Sequence, residues 1–175
     1  QTVCEGTEAT IKLASVSPVG TTIAWDADPT IAGSLDTDEI TVTAQFPADA
    51  VGHRAKYAYN FTASFSICEN KKMTAYLNVD EPISGLVNGL TPICQGASTV
   101  VDASSFDAAT YIWTKENDSI FVQYGPSITA NLFESTTFKV NMTRGACKKD
   151  TTFDVEVTSL PVIVGIDSTG IRSRK

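Results

Sequence analysis

Among 175 residues there is a single histidine, His53. Nucleophilic catalysis of the Ser-His or Cys-His kind needs an imidazole base beside the nucleophile. His53 instead sits in the turn-like stretch Val51-Gly52-His53-Arg54 and reads as a surface residue. Helical patterning is also missing: nowhere do apolar residues recur every three or four positions. No apolar run is long enough for a bilayer-spanning helix. Basic residues are scarce, with 13 Lys and Arg against 20 Asp and Glu for a net charge of −7. Nucleic acids and anionic membranes attract basic stripes, so neither is an expected partner. A zinc site is not expected, because there is no Cys-x-x-Cys and one histidine cannot complete a Cys/His set. Two carboxylates could serve a glycosidase, but no pair is set in an apolar context. The chain therefore reads as non-enzymatic. It opens on Gln1-Thr2-Val3 without a signal peptide, which suggests a mature form or an excised fragment.

What is present is said twice. Val3-Cys4-Glu5-Gly6 returns as Ile93-Cys94-Gln95-Gly96. One Trp follows each time, in Ile23-Ala24-Trp25 and in Tyr111-Ile112-Trp113. A second Cys comes next, Cys68 and then Cys147, and the run from it to a closing Pro (Pro82, Pro161) has the same length in both copies. Internal repeats of this size imply tandem units. The expected division is 1–87 and 88–161, with 162–175 a linker or the start of a following domain. Each unit is small enough for a covalent staple to help its core. Four cysteines allow three pairings; repeat symmetry favours Cys4 with Cys68 and Cys94 with Cys147, against the alternative of buried free thiols. Long loops closed in this way gain about 4 kcal/mol in the chain-entropy view. Such bonds persist in oxidising compartments, so an extracellular or cell-surface location is expected.

The apolar residues alternate. Tyr57, Tyr59, Phe61, Phe65 and Ile67 fall on one face of a run whose other face carries Asn60, Thr62, Ser64 and Ser66. Period two marks a half-buried strand, and the same holds for Met73/Ala75/Leu77/Val79, Phe138/Val140/Met142 and Phe153/Val155/Val157. Many short strands with frequent turn signals predict an all-β, antiparallel β-sandwich, with Trp25 and Trp113 in the cores. The first unit is longer between its Trp and its second Cys, around Asp36 to Arg54, which reads as an enlarged loop or an added hairpin. The linker proper is expected at Asn88 to Thr91, with flanking prolines making it semi-rigid.

These motifs permit a resemblance. Cys-x-Gly, aromatic-x-Trp, a Thr-rich strand and Gly-x-Cys resemble the Ig-like or PKD-like repeats of Bacteroidota cell-surface and type IX-secreted proteins. Cys94-Gln95-Gly96, Tyr111-Ile112-Trp113, Ser135-Thr136-Thr137-Phe138 and Gly145-Ala146-Cys147 carry it. The first unit departs from it, with Ile23 before its Trp and Ser66-Ile67 before Cys68. The resemblance implies two tandem Ig-like sandwiches, each with one disulfide tying its first strand to the start of its last. It also implies a non-catalytic adhesion or stalk segment of a larger bacterial surface protein, with neighbouring Ig-like domains of the same parent chain as partners. The alternatives it leaves are an accessory carbohydrate-binding module of a secreted polysaccharide-active enzyme and a component of the gliding or secretion machinery. The sequons leave a further alternative, a eukaryotic Ig-type receptor ectodomain.

Few residues suggest ligand chemistry. No cofactor is required. Calcium, which takes six to eight oxygens, would find them among Asp26, Asp28, Asp36, Asp38 and Glu39; the corresponding Glu116-Asn117-Asp118 is less suited because Lys115 adjoins it. Asn60, Asn117 and Asn141 stand in Asn-x-Ser/Thr triplets, while Ser119 and Thr151 follow aspartates as in the O-glycan acceptor of Bacteroidota. A glycan-binding module would line up exposed aromatics, for which Tyr57, Tyr59 and Tyr124 are the candidates.

Overall fold

The computed structural model describes residues 1–87 and 90–162. Alternating sequence becomes strands with one wet and one dry face, and these stack into sandwiches. The N-terminal half contains β1 (Thr2–Cys4), β2 (Glu8–Lys12), β3 (Thr22–Trp25), β4 (Ile31–Ala32), β5 (Glu39–Thr43), β6 (Arg54–Ser64) and β7 (Lys71–Asp80). One sheet has the order β1-β7-β6-β3 and the other β2-β5-β4. The C-terminal half contains β8 (Ile93–Cys94), β9 (Ser98–Asp102), β10 (Thr110–Lys115), β11 (Asp118–Tyr124), β12 (Ser127–Asn131), β13 (Thr136–Arg144), β14 (Cys147–Val155) and β15 (Val157–Thr158). Here β11-β10-β13-β14 faces β12-β9, and β15 pairs with β8. A one-turn 3-10 helix, Ser104–Phe106, is the one helical element among the described residues.

Each half has its own apolar cluster. Trp25, Tyr59, Phe61, Leu77 and Val79 of one sheet meet Ala9, Ile40 and Val42 of the other. Trp113, Phe138, Val140, Met142 and Phe153 meet Val101, Ile128 and Ala130 in the same way. Both tryptophans are buried, at 3% and 0% exposure. A buried indole N–H must still find an acceptor. Trp25 Nε1 donates to the carbonyl of Thr37 and Trp113 Nε1 to that of Gly125, both at 2.8 Å and both twelve residues downstream.

Several expectations need correction. The alternation in β6 ends at Ser64. Ser66 takes a left-handed φ of 47° in the hairpin turn, which breaks the period and leaves Ile67 fully exposed. The extra length of the first half lies in the long loop 44–53 between β5 and β6, the enlarged loop of the two alternatives, since β5 has its counterpart in β12. Ile83, which the expected boundary assigns to the first unit, is buried in the cluster of the second half. Part of the expected linker, Asn88 and Gly89, and the segment 163–175 lie outside the described residues.

Truncating Trp113 to Ala should cost about 3–5 kcal/mol from the void and the orphaned Gly125 carbonyl. Trp113→Phe should cost clearly less. Denaturant unfolding of the two variants checks the order.

Candidate functional site

The structure forms a disulfide between Cys4 and Cys147, 143 residues apart, and leaves Cys68 and Cys94 as exposed free thiols. This overturns the expected Cys4–Cys68 and Cys94–Cys147 pairing. The reason lies in strand direction. β1 runs parallel to β7, with Cys4 opposite Asp80 at the strand's end. Cys68 precedes the start of β7, some 30 Å away at about 3.4 Å per residue. Cys147, by contrast, opens β14 in a hairpin that reaches back to Asp80.

Around this bond is a polar cluster built from both halves. Asp80 is the centre, its side chain 3% exposed. Arg54, its cross-strand partner, donates from Nε at 2.6 Å and Nη2 at 3.0 Å. The backbone N–H of Ala146 donates to Oδ2 at 2.6 Å. The Arg54 hydrogen bonds hold the Asp80 carboxyl below the usual carboxylate range, outweighing burial, with help from the Ala146 N–H and the Arg144 charge. Gly145 lets this happen: it has φ +59°, and a Cβ there would overlap the Asp80 carboxylate.

Arg144 bridges the halves a second time. Nη2 donates to the carbonyls of Glu81 and Pro82, both at 3.1 Å, and Nη1 to that of Asp107 at 3.0 Å. His53, delivered by the long 44–53 loop, links Glu81 (Nδ1 to Oε2, 2.7 Å) and Asp107 (Nε2 to Oδ2, 3.0 Å). Its two ring nitrogens thus face one carboxylate from each half. At Gly85 a Cβ would lie 2.6 Å from the Phe106 ring, so residues 83–85 press directly onto the second half. The sequence carries a signal for part of this junction: Gly145-Ala146-Cys147 marks its hairpin. Nothing in the pattern of charges marks Asp80 or Arg144.

The remaining candidates are scattered. Asp28 accepts from Thr30 N (2.9 Å), Thr30 Oγ1 (2.6 Å) and Tyr57 Oη (3.1 Å). Burial raises its pKa, but these hydrogen bonds win and the carboxyl lies below its ordinary value. Asp28 thus braces a loop. Glu39 pairs with Lys12 at 2.8 Å. Asp26, Asp36 and Asp38 do not join them, and among the described residues no three acidic, His or Cys side chains are grouped as a metal ion requires. Asn60 is exposed and accepts from Thr74; Asn117 is exposed in a turn at φ 61°; Asn141 donates to Asp150. Ser119 is exposed and Thr151 half-buried. Tyr59 is buried, Tyr57 is half-buried against it, and Tyr124 is 74% exposed, so the three make no aromatic row. Tyr124 belongs to a different feature. With Ile120 and Val122 of the edge strand β11 and its register partner Ile112 on the neighbouring β10, it forms an exposed apolar stripe.

No protein-family model matches the chain, and no curated protein does. Among solved structures it is similar to the N-terminal eight Ig domains of Down syndrome cell adhesion molecule, with TM-score 0.59 and 12% identity over 91% of this chain and 23% of that one. It is also similar to Sidekick-1 immunoglobulin domains 1–4 (TM-score 0.45, 18% identity, 90% and 46% covered). The insect immune protein hemolin gives TM-score 0.46 at 10% identity, with 91% and 44% covered. The chain spans less than half the length of each of these three. The fold is all-β and immunoglobulin-like.

Two outcomes are expected at the junction. Gly145→Ala should destabilise by about 1–3 kcal/mol, through a disfavoured φ and loss of the Ala146–Asp80 bond, as thermal unfolding would read. Because the folded pKa of Asp80 is depressed, its stabilisation is present above the unfolded value of about 4 and lost as pH falls below it. Asp80→Asn should remove that part of the acid-side loss in a pH series of melts.

Proposed function

We propose that the chain is a non-catalytic structural and adhesive segment of a larger extracellular protein, made of two immunoglobulin-like domains in series. The observation that carries this reading is the junction. A disulfide, a buried carboxylate clamped from both halves and an apolar anchor at Ile83 together make a connection far stiffer than a peptide linker. A segment whose task is to hold a set reach and orientation needs such a joint, whereas a catalytic domain does not. The lone histidine is engaged by two carboxylates within that joint, which supports the non-catalytic reading. The disulfide supports an oxidising, extracellular setting. The resemblance to Bacteroidota surface repeats supports a bacterial cell-surface parent, with neighbouring Ig-like domains as its immediate partners.

For the adhesive part, the stripe Ile112–Ile120–Val122–Tyr124 is the surface of choice. Contiguous exposed apolar residues on an edge strand favour association with another protein. A glycan platform would need the aromatic row that Tyr57, Tyr59 and Tyr124 do not form.

Small-angle X-ray scattering of the oxidised chain and of Cys4→Ser tests the structural core of the proposal. The oxidised chain should fit one arrangement of its halves, and Cys4→Ser a broader distribution, with a loss of about 2–4 kcal/mol in stability. Equal flexibility of the two would sink the reading. In a screen of the same material against proteins and glycans, Tyr124→Ser should abolish the protein binding that the unaltered chain shows. Binding that survives this change would place recognition on another surface.

A further inference from the structure

The exposed thiols of Cys68 and Cys94 each have a bonded counterpart in the same chain. Cys94 ends β8, parallel to the terminal strand β15 and opposite Thr158, as Cys4 ends β1 opposite Asp80. The same turn follows both. Thr7 N–H donates to the Cys4 carbonyl and Ala97 N–H to that of Cys94, and Gly6 and Gly96 have φ of 78° and 80°. Cys68 likewise matches Cys147. Each lies where the hairpin leads into the last long strand, two residues after a left-handed residue, Ser66 (φ 47°) or Gly145 (φ 59°).

Strand direction orders the four sulfurs along the molecule. From Cys68 the strand β7 runs to Asp80 beside Cys4. Across the disulfide, β14 runs from Cys147 towards β15 and Cys94. Cys68 and Cys94 thus lie at opposite poles, each about 30 Å from the central bond, and cannot meet within one chain. What the central junction covers stands open at these poles. Ile67, counterpart of the half-buried Ala146, is 100% exposed. Val162, which follows Pro161 as Ile83 follows Pro82, is 82% exposed where Ile83 is 4%.

We infer that Cys94 and Cys68 are the two halves of a further junction of the same kind, in which Cys94 of one chain bonds Cys68 of a second copy placed head to tail. This inference rests on the reading of the chain as domains in series and adds where, and by what bond, the next domain attaches. Each bond forms by thiol–disulfide exchange. Two thiols give up two protons and two electrons to a small-molecule disulfide such as oxidised glutathione, which leaves as two thiols. Because the two halves differ, the interface is heterologous, and each joined pair still carries one Cys68 and one Cys94 at its ends.

The test is a polypeptide carrying the whole chain twice in series, oxidised in a glutathione buffer, alkylated and mapped by mass spectrometry. The expected product links Cys94 of the first copy to Cys68 of the second, with Cys68 of the first copy and Cys94 of the second alkylated. Alkylation at the joined pair should fall about tenfold or more relative to the outer pair, given the high effective concentration along one chain. Cys94→Ser in the first copy should restore alkylation of Cys68 in the second. Both thiols of the new junction remaining free while Cys4–Cys147 forms would overturn the inference and leave the proposed function standing. Random pairing would also overturn it. Failure of Cys4–Cys147 itself would overturn both.

Discussion

A carboxylate taken out of water has to be met by donors from every side. Asp80 is met from its own sheet by Arg54 and from the other half by the Ala146 N–H. That requirement organises the whole interface between the halves. Gly145 must lack a side chain for the hairpin to approach. Once it does, Cys147 stands against Cys4 and Arg144 reaches the carbonyls of Glu81 and Pro82. The ion pair is not in itself a large source of stability, since Arg54 is exposed to solvent and the desolvation of Asp80 offsets much of the attraction. Its value lies in placement: the observed arrangement of the halves adds the Ala146 N–H to Asp80, and other arrangements leave the carboxylate with Arg54 alone.

The two halves are alike in framework and unlike where they meet other things. The indole-to-carbonyl bonds, the Cys-x-Gly turns and the parallel pairing of β1 with β7 and β8 with β15 are common to both. The long 44–53 loop is peculiar to the first half, and it supplies His53 to the junction. The stripe on β11 is peculiar to the second. Loops and edge strands vary more readily than packed faces, and here both differences lie on such positions.

Fold class is legible in the sequence because period-two alternation and two tryptophans speak directly of half-buried strands. The cores follow from the same pattern, with Phe138, Val140 and Met142 all fully buried. The cysteine pairing is not legible, for a physical reason. Repeat symmetry suggests closure within each unit, whereas a translation along the chain satisfies it equally well, and then each cysteine seeks a partner in its neighbour. Direction of the strands decides between the two, and a hydrophobic pattern carries no direction. Ile67 fails for a related reason: alternation continues on paper through a turn that Ser66 breaks in space. Asp80 is hidden because its role depends on Ala146, 66 residues away, and a buried acid looks like a surface one in a string of letters.

The disulfide also decides which part of the chain bears tension. Pull on the residues outside Cys4 and Cys147, and the load passes straight through the sulfurs. The 143-residue separation between them is bypassed, so close to 500 Å of extensible chain, at roughly 3.5 Å per residue, never enters the line of force. The first half, and the second as far as Cys147, are shielded from that load, and only β14 and β15 beyond the bond still have to bear it. Reduction would return that length to the line of force, where the two cores alone would have to hold it.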